Sequence, residues 1–207
     1  MKNSFLVIVM LIIGPTVGLS QTGFEQYSFI GQKIGFTCVP IVHVQTQNNW
    51  YAEARYNYDE EKTFSLYMGK SFSRTGKHIS YSVTPMIGGM LGQFKGGSAA
   101  LNASLEYKKF FLSSQPQFTA FSGERDRSYL FQWSEVGYEL KPWLFAGLSI
   151  QQTYYTQSKM NITEPGVLLG VTLGKWILPV YLFNPMSTSR YFVLGITYGL
   201  GSVKSIR

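Results

Sequence analysis

The chain contains two histidines, His43 and His78. Each could act as a general base, so hydrolase chemistry is the first function to consider. His43 lies in an alternating run, where it shares a face with Ile41 and Gln45, and His78 follows Lys77 at a turn. A hydrolase needs its base within hydrogen-bond reach of a nucleophile. No motif brings either histidine to a particular serine, so we interpret His43 as a satisfied interior residue and His78 as a solvated turn residue.

Metal and cofactor chemistry has equally little support in the sequence. Cys38 is the single cysteine, which excludes an intramolecular disulfide, and its apolar neighbours indicate a buried or lipid-facing position. One cysteine and two distant histidines do not form a zinc-type cluster. No phosphate-cradling loop of the GxxxxGKS kind is present. We therefore predict no catalytic residues, no metal site and no cofactor.

Charged and amide side chains that alternate with apolar ones are stronger candidates for a functional role. In the run 49–59, Glu53 and Arg55 share a face with Tyr51 and Asn57, because successive strand side chains take opposite faces. Isolated charges are costly in a low-dielectric interior, so we expect an internal network of ion pairs and hydrogen bonds. The predicted interior-facing polar residues are Glu53, Arg55, Asn57, Asn102, Glu106, Glu135 and Glu139, with Lys108 on the same face as Glu106.

The run 128–140 gives a conflicting pattern, because Phe131 and Trp133 fall on the same face as Glu135. A β-bulge would move the aromatic residues to the other face. An aromatic cluster inside the molecule would equally resolve the conflict, and the sequence leaves both interpretations open.

The fold class follows from this alternation together with a charged fraction of only 14%. Such a pattern is typical of transmembrane β-barrels, whose outer face contacts hydrocarbon while the inner face is polar. The chain begins with Lys2, an apolar run over 5–13 and small residues at Gly18 and Ser20, which is the order of a secretory signal peptide. Nine apolar residues are too few for a spanning helix, which needs roughly 17–25. We predict a signal peptide over 1–20 and one barrel domain over 21–207.

Turn residues between the alternating runs predict eleven strands, and the short aromatic segment 24–30 is the natural twelfth. Because single-chain bacterial barrels have even strand numbers, we predict an antiparallel up-and-down barrel of twelve strands, with ten as the alternative. The predicted strands lie at 24–30, 34–46, 49–59, 62–73, 78–91, 97–109, 114–122, 128–140, 143–157, 165–174, 176–184 and 190–201.

The connections indicate an orientation, because these barrels have short periplasmic turns and longer outer loops. Tight connections near 46–49, 109–113 and 174–176 alternate with longer ones, which predicts that both termini are periplasmic. Indole and phenol rings prefer the headgroup level of a membrane. We therefore predict membrane-interface aromatic residues at Trp50, Trp143 and Trp176 beside the tight turns, and at Tyr58, Tyr155 and Tyr191 toward the opposite end.

With its signal peptide, its alternating strands and its final run over 190–200, the chain resembles the small outer-membrane β-barrel proteins of Gram-negative bacteria, the OmpA/OmpX-like class. The resemblance implies an outer-membrane location, contact with outer-membrane lipid and recognition by the barrel assembly machinery. Many such barrels end in an aromatic residue, whereas seven further residues follow Leu200 here. Tyr198 or Leu200 is the expected substitute for that terminal signal.

Several functions fit this class. A narrow pore is favoured by small interior-facing residues such as Ser80, Ser82 and Thr172, and a structural barrel by the short loops. The alternatives are a barrel-embedded lipid-modifying enzyme or protease, and a secreted soluble barrel that binds a small apolar ligand inside. The basic side chains are scattered over turns rather than clustered on one element, so we do not expect nucleic-acid binding. The sequence does not determine the oligomeric state.

Overall fold

A computed structural model of the protein describes residues 19–123 and 128–201, which form a single antiparallel sheet. The predicted signal peptide, residues 1–20, lies almost wholly outside these ranges and stays a prediction. No helix in the described part of the chain is long and apolar enough to cross a membrane. The strands are β1 (Leu19–Gly31), β2 (Gly35–Thr46), β3 (Trp50–Tyr56), β4 (Thr63–Lys70), β5 (Phe72–Thr75), β6 (Ile79–Gly92), β7 (Gly96–Tyr107), β8 (Phe110–Phe121), β9 (Tyr129–Lys141), β10 (Leu144–Tyr155), β11 (Asn161–Leu173), β12 (Trp176–Phe183) and β13 (Tyr191–Gly201).

The sheet closes on itself as a barrel of twelve strands, which confirms the predicted fold. Consecutive strands pair with each other except β4 and β5, which both pair with β6, and β1 pairs with β13. The pairs Gly69 with Met86 and Phe72 with Val83 keep one register, so β4 and β5 are one spanning strand interrupted at Ser71. Closure pairs every described strand except the short β5 with a neighbour on each side, which removes the long open edges of an unclosed sheet.

The two ends of the barrel differ in their connections, as the sequence predicted. One end, called the terminus end, carries the start of β1, the close of β13 and short turns at 47–49, 76–78, 108–109, 142–143 and 174–175. The other, called the loop end, carries connections at 32–34, 57–62, 93–95, 122–128, 156–160 and 184–190. The predicted strand boundaries agree with the observed ones to within five residues.

Large apolar side chains cover the outside of the barrel. Ile87 is 73% exposed and Phe36 is 70% exposed, and outward-facing leucine, valine and aromatic residues recur on all sides. Most buried polar side chains, among them Thr84, Ser98 and Gln151, instead face the interior. This is the inverse of the soluble ligand-binding barrel considered from the sequence, which would need an apolar interior and a polar outside.

Large aromatic side chains also occupy the interior, which resolves the conflict in β9. Phe131, Trp133 and Glu135 all face inward, and β9 runs without a register shift from Tyr129 to Glu139 against β8 and β10. No bulge separates the aromatic residues from the carboxylate. The second interpretation of this run, an inward aromatic cluster, is the observed one.

Glycines opposite these rings make room for them. The Phe111 ring lies over Gly137 on the neighbouring strand, and a Cβ added at Gly137 would stand 2.2 Å from the ring tip. The Phe145 ring lies over Gly170 in the same way, with its tip 2.2 Å from an added Cβ. The glycines therefore allow aromatic rings to lie flat against the inner surface of the barrel.

A methyl group at Gly137 should destabilise the barrel, because the Phe111 ring would have to move within a packed cluster. We expect Gly137→Ala to lower the free energy of unfolding in lipid vesicles by about 1–3 kcal/mol, measured by urea titration of tryptophan fluorescence. Gly89→Ala is the matched control, because an added Cβ at Gly89 meets nothing within 4 Å. Equal losses in the two variants would contradict this account of the packing.

Candidate functional site

The centre of the interior is a buried guanidinium group. Arg55 is 3% exposed and forms an ion pair through its Nε with the carboxylate of Glu53, two residues earlier on the same strand. Its terminal nitrogen donates to Gln117 Oε1 on β8 at 2.8 Å. The guanidinium lies between two tyrosine rings, 4.4 Å from the centroid of Tyr58 and 4.2 Å from that of Tyr67. Hydrogen bonds, a carboxylate and two π faces together compensate the lost hydration of the cation.

The β3–β4 loop, residues 57–62, folds into the barrel and supplies part of this network. Tyr58 donates to Gln115 Oε1 on β8 at 3.0 Å, and burial raises the pKa of its hydroxyl. The carboxylate of Asp59 accepts hydrogen bonds from Ser65, Tyr67 and Gln117. Its backbone carbonyl accepts a further bond from Tyr129 on β9, at 2.6 Å. The loop is thus attached to the opposite side of the barrel.

An aromatic layer fills the rest of the same cross-section. The Trp133 ring lies 5.2 Å from the Tyr181 ring and 5.3 Å from the Tyr27 ring, between ring centroids, and its Nε1 donates to Ser149 at 2.9 Å. The stacked pair Phe183 and Tyr191 continues the layer toward the loop end. Together with the Arg55 network, these rings form what we call the constriction.

A cavity of about 440 Å³, called the vestibule, lies between the constriction and the terminus end. It begins among Gln21, Lys175 and Gly199 at the terminus end, and Tyr27 and Gln115 line its inner boundary. Both of these inner residues contact the constriction, Tyr27 through Trp133 and Gln115 through Tyr58. The interior is therefore a recess that reaches from the terminus end to a layer of packed side chains.

The predicted polar residues occupy five environments. Glu53 and Arg55 belong to the constriction, while Asn102 and Glu135 line the vestibule. Glu106 and Glu139 are half-buried on the inner face near the turns of the terminus end. Asn57 is a loop residue with φ of 59°, which donates to the carbonyl of Cys38 and accepts from the amide of Lys62. Lys108 is an exposed turn residue with φ of 56°, because the strand ends before it.

Among the predicted membrane-interface residues, the tryptophans and the tyrosines have different positions in the structure. Trp50, Trp143 and Trp176 are about half exposed on the outside, beside the short turns of the terminus end. Placing Tyr58, Tyr155 and Tyr191 on the outer surface was wrong.

The three tyrosines do lie toward the loop end but face the interior. Tyr155 packs on Tyr129 at 6.1 Å between ring centroids, and Tyr191 is 4% exposed. Tyr191 donates to Glu164 Oε2 at 3.0 Å. Tyr155 and Tyr191 face inward because they occupy inward-facing positions of their strands. Tyr58 faces inward because the β3–β4 loop folds into the barrel.

Neither histidine is paired with a serine. His43 faces the vestibule, where its Nδ1 lies 3.5 Å from Glu25 Oε1 and its ring stacks on Tyr51. His78 occupies an exposed turn at the terminus end. No group of three or more metal-ligating side chains was found among the described residues. The arrangement therefore offers polar and aromatic recognition rather than an assembled catalytic group.

Several important interior residues were not among the predicted candidates. Asp59 ends the predicted strand 49–59 but lies in the β3–β4 loop, because the observed strand ends at Tyr56, and a loop has no parity to indicate direction. Gln115 and Gln117 occupy inward-facing positions of β8, so alternation alone could have identified them. Glu25 and Tyr27 lie in the N-terminal strand, which was predicted only as a short segment.

No protein-family model matches this sequence, and no curated protein matches it significantly. Solved structures do match its fold. KdgM porin aligns with a TM-score of 0.58 at 11% identity, over 85% of this chain and 98% of that chain. KdgM porin in complex with disordered oligogalacturonate gives 0.56 at 11% identity, over 86% and 98%. NanC porin gives 0.55 at 9% identity, over 88% and 100%. The chain therefore has the fold of outer-membrane porins.

Removing the guanidinium of Arg55 should leave the buried carboxylates of Glu53 and Asp59 without a nearby cation. We expect Arg55→Ala to lower the free energy of unfolding by about 3–5 kcal/mol, measured by urea titration in lipid vesicles. Arg74→Ala is the control, because Arg74 is an exposed cation on β5 and its loss should change the value by less than about 0.5 kcal/mol. A loss below about 1 kcal/mol for Arg55→Ala would show that the network is not needed for stability.

Proposed function

We propose that this protein is an outer-membrane, porin-like barrel whose narrow passage is closed by the constriction in the state described. The observation that carries the proposal is the vestibule, a polar recess that ends on packed side chains rather than on a separate plug domain. The apolar outside and the fold shared with porins support the predicted outer-membrane location. The predicted periplasmic termini would make the vestibule the periplasmic entrance.

The width of the barrel is consistent with a passage. Eight strands enclose an interior that side chains just fill, and the diameter grows roughly linearly with strand number. Twelve strands therefore leave space that must be occupied by large side chains and an inward loop if the interior is to be closed. In this barrel the Trp133 ring and the β3–β4 loop occupy that space, and the loop lies outside the strand pairing.

A structural barrel is the second candidate function, and one specific observation favours it. Tyr67 and Phe183 are fully buried in the constriction, so the packed cross-section resembles a protein core more than a water-filled channel. A protein that only stiffens the membrane or presents its loops would need no more than this. The two candidates differ in whether movement of the loop admits ions.

We do not propose the ligand of the similar porin as a ligand of this chain. One KdgM structure contains oligogalacturonate, an acidic oligosaccharide. Arg55 is the one buried lysine or arginine in the described ranges, and it is already paired with Glu53. A passage for polyanions would need unpaired interior cations.

Further assignments stay proposals. We expect outer-membrane lipid to contact the apolar outside and the barrel assembly machinery to act during biogenesis, with Leu200 outward and Tyr198 packed against Trp176 at the final strand. The finer resemblance to the OmpA/OmpX-like class also stays a prediction. We propose a non-catalytic role, which the interior chemistry and the porin fold support.

Releasing the β3–β4 loop should widen the passage. We expect the purified wild-type protein to give small single-channel currents in planar bilayers, and Tyr58→Ala/Asp59→Ala to raise the conductance by about twofold or more, because the loop loses its attachment to β8 and β9. Glu61→Ala is the matched control, since Glu61 is an exposed acid of the same loop and its replacement should leave the conductance unchanged.

Heat-modifiable gel mobility would establish that each protein is folded before the recording. Closed traces from both folded wild type and the folded double variant would overturn the pore and leave the structural barrel as the better function.

A further inference from the structure

The charges of this protein are separated between its inside and its outside. Every lysine and arginine in the described ranges is exposed except Arg55, which Glu53 and Asp59 accompany inside. Most of the described carboxylates instead face inward. The interior carboxylates are Glu25, Glu53, Asp59, Glu106, Glu135, Glu139 and Glu164. The chain has a formal net charge of +7, yet its interior is acidic.

The vestibule contains two of these carboxylates, and no lysine or arginine of the described ranges lies beside them. Glu25 accepts a hydrogen bond from Tyr27 at 2.8 Å and has His43 Nδ1 at 3.5 Å. Glu135 lines the same cavity beside Ser113 and Tyr181. Among the lining residues that the structure describes, the one basic side chain besides His43 is that of Lys175, an exposed turn residue at the mouth of the cavity. The inner vestibule therefore favours a positive guest.

Further polar atoms of the vestibule lack partners. Asn102 Oδ1 and Thr172 Oγ1 are buried atoms of lining residues, and neither has a hydrogen bond to another described residue. Both can accept a hydrogen bond, and a buried acceptor without a donor is unfavourable. A guest with N–H groups would satisfy them.

Aromatic side chains supply the remaining lining of the inner vestibule. Tyr27, Tyr181, Phe111 and Phe145 all contribute, and the last two meet edge to face at 5.7 Å between centroids. Aromatic faces attract cations and also bury aliphatic carbon. An inorganic cation would use the carboxylates but not this apolar surface.

We infer that the vestibule binds small organic cations, specifically aliphatic amines, with the ammonium group at Glu25 and Glu135 and the carbon chain on the aromatic side chains. This inference rests on the proposed function, because it assigns a solute class to the same vestibule. The cavity of about 440 Å³ is large enough for a guest of six to ten heavy atoms.

Three probes with a four-carbon chain and different charge would test the assignment. Isothermal titration of the detergent-folded protein should show that putrescine binds at least about tenfold more tightly than butane-1,4-diol or succinate. Only the diamine carries positive charges that can pair with the carboxylates. Magnesium chloride is a fourth probe, with the charge of putrescine but no carbon chain. Equal binding of magnesium and putrescine, or no preference for putrescine over succinate, would overturn the inference.

Variants that remove single carboxylate charges should show where putrescine binds. Glu25→Gln and Glu135→Gln should each weaken putrescine binding by roughly fivefold to tenfold, because each removes one carboxylate charge while keeping the shape of the side chain. Glu61→Gln removes the same charge from an exposed loop and should leave the affinity unchanged. Equal effects of all three variants would mean that general surface charge attracts the diamine, which would also overturn the inference.

The titration is independent of conduction, so the two proposals can fail separately. Putrescine binding to a protein whose folded variants never conduct would remove the pore but keep the amine site. Currents through a protein that shows no preference for putrescine would keep the pore and remove the amine site.

Discussion

The burial of one guanidinium group organises the interior of this barrel. Arg55 is almost without solvent contact, and a cation transferred from water to such a place is costly unless charge and hydrogen bonds replace its hydration. The surrounding structure provides these replacements from Glu53 on its own strand, Gln117 on β8 and two tyrosine rings. The β3–β4 loop is drawn inward as part of this arrangement, because it carries Tyr58 and Asp59. The closure of the loop-end half is thus coupled to the position of a single charge.

The sequence predicts the position of a side chain only where that residue lies in a regular strand, because the prediction depends on strand parity. Alternation, turn chemistry and even strand number were sufficient for the twelve strands, the short turns at the terminus end and the inward direction of Glu53 and Arg55. Parity ends where a strand ends, so it could not show that Tyr58 and Asp59 turn inward from a loop. Membrane preference also misled the prediction for Tyr191, because a tyrosine with a hydrogen-bond partner such as Glu164 is equally stable inside the barrel.

The contents of the lumen depend on a balance between strand number and side-chain size. A twelve-stranded barrel is wider than small aliphatic side chains can fill, so closing it takes Trp133, Tyr181 and Phe183 in one layer. Glycines such as Gly137 and Gly170 let further rings lie against neighbouring strands. Below this layer, small residues including Ser82, Thr84 and Thr172 leave the space that forms the vestibule. The same barrel is therefore packed in one half and hollow in the other, through the sizes of its inward side chains and the inward β3–β4 loop.

Net charge is a poor guide to the solutes of such a barrel, because the two faces of a strand have separate electrostatic roles. The lysines at or beside the turns, such as Lys108 and Lys141, are exposed, and their charges are screened within about 8–10 Å at physiological salt. Glu25 and Glu135 lie inside a low-dielectric shell, where screening is weaker and the field acts directly on a guest. A basic protein can therefore present an acidic passage. What the interior attracts is determined by the few charges that parity directs inward, not by the total that the composition reports.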